Sequence, residues 1–418
     1  MASILFKNAN LLDPLQAELQ EDQHVLVEDG LIKEVSDRPI KAAAARVIDA
    51  AGRTLMPGLI DLHVHVLATQ LNLSTQGVLA DALVMMRSVP IMAAMLRRGF
   101  TTVRDAGGAG WGLKCAIEEG TVKGPRLFIS GHAISQTGGH GDSRPRSDHL
   151  RPMSFCGCCF RAGEISRVAD GIDEVRKAVR QELQMGADQI KIMASGGVAS
   201  PTDPIAAFGY SEEEIRVIVE EAAGRQTYVM AHSYTAEAIE RAVRNGVRTI
   251  EHGNLIDEPV AKLMTAKGAF VVPTLVTYEA LATEGADYGL PPDSVAKIET
   301  VRAAGLKSLE IYKRAGVKMG YGSDLLGPSQ RLQSDEFRIR REVLSAQEVI
   351  QCATTTAAEV LNQVGRLGRI QVGAIADLLL VDGNPYRDLS CLLGQGEHLA
   401  LILKGGVVEH EGLEGAAS

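Results

Sequence analysis

Eight short apolar runs alternate with longer amphipathic stretches through the middle of the chain, and this alternation constrains the fold most. The runs cover residues 59–62, 101–104, 126–130, 189–193, 228–231, 249–251, 270–273 and 318–321. Runs this short, with little polar interruption, read as strands buried on both faces. Helical periodicity over 171–185, 211–224, 236–245 and 258–266 occupies four of the intervals. Strand and helix in repeated alternation predict an α/β fold, a parallel (β/α)8 barrel of TIM type. In such a barrel every strand ends on the same rim.

Both chain ends have a different character. Short strands over 4–6, 24–28 and 31–35 are separated by turns such as Glu28-Asp29-Gly30, and strands return at 376–382 and 399–404. They predict a small β-sandwich built by both ends, with residues 1–54 and 369–418 flanking a barrel of 55–368. Aromatics make up only 4% of the 418 residues, so the core must rest on Ala, Val, Ile and Leu. A net charge of -9 without a basic block argues against a nucleic-acid partner. No apolar run approaches the ~20 residues that span a bilayer. The start, Met1-Ala2-Ser3-Ile4-Leu5-Phe6-Lys7, lacks a secretory pattern, which makes a cytoplasmic protein the expectation. Six cysteines in a chain this long are not a disulfide framework. Cys156, Cys158 and Cys159 cluster, but without the paired spacing of a structural zinc site, and are expected to be a loop feature.

Six side chains able to bind a metal lie in or at the ends of the barrel runs: His63, His65, Lys191, His232, His252 and Asp324. His63 and His65 are two apart on one strand and therefore share a face, the arrangement of a chelate. One strand-end histidine is usually a packed residue. Four, with an aspartate, on a shared rim point to a metal site. Lys191 interrupts an apolar strand, so it is either paired with a carboxylate or, if neutral, carboxylated by carbon dioxide and able to bridge two ions. Ser323-Asp324 alone reads as a helix cap; beside four histidines, Asp324 reads as a ligand and proton carrier.

Five segments are similar to the amidohydrolase superfamily: Asp61-Leu62-His63-Val64-His65, Lys191-Ile192-Met193-Ala194-Ser195-Gly196-Gly197, Ile250-Glu251-His252-Gly253, Ser323-Asp324 and Gly373-Ala374-Ile375-Ala376-Asp377-Leu378. Within it, the chain resembles the binuclear-metal, imidazolonepropionase-related branch that includes prolidase-like dipeptidases. The resemblance spans essentially the whole chain. It implies that His63 and His65 hold one divalent ion and His232 and His252 a second, with an N6-carboxylysine at Lys191 between them. Asp324 would complete the first site, and zinc suits these ligands. Asp324 would act as general base and then general acid.

His140, in Gln136-Thr137-Gly138-Gly139-His140-Gly141-Asp142, would reach the substrate's oxyanion because flanking glycines let the loop bend inward. Tyr234 would help hold a substrate carboxylate. Residues 133–170 read as one long polar loop, in which Arg144, Arg146, Arg151 and His149 are expected to be solvated. The implied activity is hydrolysis of dipeptides (Xaa-Pro among them) or N-acyl amino acids with a free carboxylate, extending to ochratoxin-type amides of amino acids. Two alternatives stand beside it: a ring-opening cyclic amide hydrolase, and a non-catalytic barrel binding protein. The resemblance also implies a homo-oligomer.

Overall fold

The computed structural model describes residues 3–142, 144, 162–198, 200, 203–288 and 292–413. Cys156, Cys158, Cys159, Arg146, His149 and Arg151 lie outside the described residues. The fold is a (β/α)8 barrel with a small β-sandwich domain drawn from both chain ends. Around the barrel run Leu59–Val64, Phe100–Asp105 and Arg126–Ile129 in one parallel sheet, and Ile190–Met193, Val229–Thr235, Thr249–Leu255 and Phe270–Val272 in another. Residues 318–321 supply the eighth position. There Gly320 N donates to Val271 O (2.8 Å) and Leu62 N to Tyr321 O (2.8 Å), joining the last strand to the first. At the other seam Asp188 N donates to Ile129 O at 2.7 Å.

Both faces of the barrel strands are covered. Every residue of Ile190–Met193 is buried, Lys191 included. The helices between them start on capped turns: Ser211 caps Glu212–Gly224 through a reciprocal pair with Glu214, and the Thr235 hydroxyl accepts from Ala238 N at the head of Ala236–Arg244. One expectation needs correcting. Residues 133–170 read as a single long loop, but Ala133–Ser135 and Ser166–Val168 pair as parallel strands. Just before them the chain turns at Gly131, φ 66°, where an added Cβ would meet Glu182 Oε2 at 2.1 Å.

The strands of the terminal domain are hydrogen-bonded in the continuous order Val407–Glu411, Leu399–Lys404, Leu378–Val381, Thr54–Pro57, Ile4–Leu11, Gln20–Glu28, Leu31–Ser36, with Arg46–Asp49 beside Ile4–Leu11. Phe6, Val25, Leu55, Leu380 and Leu401 form its core. Asp377 fastens it to the barrel: its carboxylate accepts from Arg126 Nη1 (2.5 Å) and Gly405 N (2.7 Å), and its carbonyl from Gly58 N (2.8 Å). Among the described residues no helix is long and apolar enough to cross a membrane.

Candidate metal centre and active site

Alternation along Leu59–Val64 puts Asp61 and His63 on one face, and His65 continues it just past the strand. Asp61 acts as a fastener. Its carboxylate accepts from His63 N (3.0 Å), Ser323 Oγ (2.6 Å) and Gln333 Nε2 (2.9 Å), binding the first strand to the segment that carries Asp324. His63 Nδ1 donates to Glu251 Oε2 at 2.8 Å, and His65 Nδ1 to Gly107 O at 2.9 Å. Acceptors on both Nδ1 atoms fix a proton there, which makes each Nε2 the atom available to an ion. Those Nε2 atoms lie 3.3 and 3.4 Å from Asp324 Oδ1. One ligand atom each from His63, His65 and Asp324 falls within 4.8 Å of the others.

The second half of the centre adjoins the first. His252 lies with its ring centroid 5.0 Å from that of His63 and 4.6 Å from that of His232, and its Nδ1 is 3.8 Å from Asp324 Oδ2. Glu251 and His252 are consecutive and should face opposite sides of a strand. Both meet His63 because His252 adopts φ 73°, which breaks the alternation. Asp324 is left-handed too, at φ 51°. Such backbone costs about 1–3 kcal/mol for a residue with a side chain and collects at functional positions. Burial, above all, keeps His232 and His252 well below the usual histidine range, which leaves them neutral and fit to be ligands. Burial likewise lowers the Lys191 ammonium to about 8, although Glu251 and Asp324 oppose it. Asp324 stays ionised: burial disfavours its charge, but His63 and His65 hold it well below the carboxylate range.

His140 stacks on His232 with ring centroids 4.3 Å apart, and its Nδ1 is 3.5 Å from Asp203 Oδ2. Tyr234 is buried, its ring 5.0 Å from that of His232 and its hydroxyl 2.9 Å from the Tyr278 hydroxyl. The structure therefore gathers His63, His65, Lys191, His232, His252, Asp324, His140 and Tyr234 at one rim. Arg144 is engaged by Asp142, two residues away, with Nε donating to Oδ1 at 2.7 Å.

Sequence reasoning missed Glu251 as a functional residue. Fully buried, it also accepts from Arg104 Nη2 at 2.9 Å and Thr249 Oγ1 at 2.7 Å. Burial works against its charge, yet Arg104 and His63 prevail and bring it down to about 2. The residue stood in Ile250-Glu251-His252-Gly253, but regular alternation pointed it away from the rim. Asp203 was missed as well; nothing in its polar loop distinguished it.

Residues 54–408 match the model of the amidohydrolase family. The chain belongs to that family. An ochratoxinase from Aspergillus niger is 32% identical over 97% of this chain and 86% of its own length. Among solved structures, an amidohydrolase superposes with TM-score 0.97 at 65% identity, covering 99% of this chain and all of the other. A prolidase complexed with N-methylphosphonate-L-proline superposes with TM-score 0.95 at 57% identity, covering 97% and 99%. This amidohydrolase is thus a hydrolase of amide bonds. Its family typically uses metal ions, and the donor set fits one: an imidazole nitrogen from each of His63 and His65 and the Asp324 carboxylate converge.

Proposed function

We propose that this amidohydrolase binds two divalent ions, zinc by preference, and cleaves dipeptides or N-acyl amino acids that carry a free C-terminal carboxylate. The observation that carries the proposal is the convergence of His63, His65 and Asp324, with His252 and His232 adjoining and Lys191 buried among them. His63, His65 and Asp324 would hold one ion, His232 and His252 the other, and a carboxylated Lys191 would join them. Divalent ions held there supply Lewis acidity, which acidifies a water and polarises the scissile carbonyl. Asp324 takes the proton of the attacking water and delivers it to the leaving nitrogen. His140 donates to the oxygen on which charge develops. The Tyr234 hydroxyl binds the substrate carboxylate. Likeness to a prolidase and an ochratoxinase supports an amino acid as the leaving group, and extends the substrate range to ochratoxin-type amides.

A panel of dipeptides, N-acyl amino acids, their C-terminal amides and a cyclic amide tests this, alongside elemental analysis of the purified protein. Turnover of the free acids, its loss on amidation and two ions per chain are expected. Turnover of the cyclic amide alone would overturn the assignment. A chain without metal that stays inert after zinc is added would overturn the metal-dependent reading.

A further inference from the structure

Lys297 lies on the long helix Pro292–Ala315, outside the barrel rim. Its ammonium donates to three backbone carbonyls at once: Gly197 (3.3 Å), Ser200 (2.8 Å) and Asp203 (2.6 Å). Three protons serve three acceptors, so the clamp uses the whole donor capacity of the lysine. The clasped residues belong to the loop after Ile190–Met193. The loop closes on itself where Gly197 N donates to Asp203 Oδ2 at 2.7 Å.

The clasped residues bear directly on His140, which arrives from a different loop. The Asp203 side chain is almost fully buried, and its Oδ2 lies 3.5 Å from His140 Nδ1. Gly197 presses on the same imidazole. A Cβ at Gly197 would come within 1.9 Å of His140 Cε1, so only glycine permits this approach. His140 is thus confined between Gly197 and the His232 ring, with a carboxylate at its Nδ1 edge. Burial disfavours the Asp203 charge, but His140 and the Gly197 N–H keep its carboxyl below the usual range, so the group stays an acceptor.

We propose that Lys297 and Asp203 are positioning residues for His140: the lysine ties Gly197, Ser200 and Asp203 together, and this holds the Asp203 carboxylate against Nδ1, leaving Nε2 for the substrate carbonyl. The inference rests on the role given to His140 above. His140 acts on the oxygen as charge develops on it, so a displaced imidazole costs turnover rather than substrate affinity. Misplacing a reacting group by ~1 Å costs up to about 10²-fold.

The test is a double-mutant cycle on the metal-loaded enzyme with a dipeptide or N-acyl amino acid that it turns over. Lys297→Met and Asp203→Asn are each expected to lower kcat by about 10- to 10²-fold, with KM and metal content near wild type. In a His140→Ala background neither should lower kcat further, because the residue they act through is gone. Equal losses in both backgrounds would overturn the inference while leaving His140 its role. So would loss of bound metal in step with activity. A silent His140→Ala would instead remove the role of His140, and this inference with it. Should Lys297→Met fail to fold, the isosteric Asp203→Asn carries the same cycle.

Discussion

Glu251→Gln should expose how the metal centre leans on a buried ion pair. Glu251 and Arg104 are both fully buried, and the carboxylate serves Arg104 and His63 together. Neutralising it strands a guanidinium in the barrel core, which costs roughly 3–5 kcal/mol. At ~2.1 cal/mol/K per residue, 418 residues unfold with an entropy of roughly 0.9 kcal/mol/K. The melting midpoint should therefore fall by about 3–6 °C. Thermal unfolding followed by circular dichroism, in excess chelator, measures this without interference from bound metal. Adding Arg104→Met removes the stranded charge and should return part of the loss. Metal affinity should fall about 10- to 100-fold in the single variant and stay low in the double, because His63 Nδ1 has still lost its carboxylate. The pH dependence has a definite sign. Glu251 is depressed from 4.5 to about 2, so its contribution is complete above pH 4.5 and lost as pH falls toward 2. The variant should be correspondingly less sensitive to acid in that window. A midpoint shift under ~1 °C, with no recovery in the double variant, would refute the argument that an uncompensated Arg104 sets the cost.

Asp324→Asn should abolish turnover while most of the metal stays bound, since an oxygen ligand remains but the proton carrier is lost. Near-normal rates with full metal content would remove Asp324 from the proton transfer. Carboxylation of Lys191 needs the neutral amine, whose fraction grows as pH rises toward and past about 8. Metal uptake by stripped protein in bicarbonate should therefore be faster at alkaline than at acidic pH, and Lys191→Met should lose that dependence. Uptake independent of both pH and bicarbonate in the unmodified chain would count against the carbamate.

Ligands and the residues that orient them differ in how they show in a sequence, and the difference is physical. A ligand must come from the end of a barrel strand, and a buried strand announces itself locally as an apolar run. His63, His232, His252 and Asp324 could be placed for that reason, as could the barrel itself. An orienting residue needs only to lie within hydrogen-bond distance of a ligand, and it can arrive from any direction. Glu251 was hidden by a single left-handed dihedral at His252, which no residue type signals when the residue is not glycine. Lys297 reaches its three carbonyls from a helix remote in sequence, where a lysine looks like any solvated one. The same distinction operates in the terminal sheet. Leu399–Lys404 and Leu378–Val381 bury most of their residues and were visible, whereas Val407–Glu411 and Arg46–Asp49 are partly exposed and polar and were not. Thr54–Pro57 is buried but runs into the first barrel strand across Gly58 alone, so no turn marked its end. Pattern thus reports burial and period, while the hydrogen-bond partners that set tautomer, charge and aim at this centre emerge only once distant segments have met.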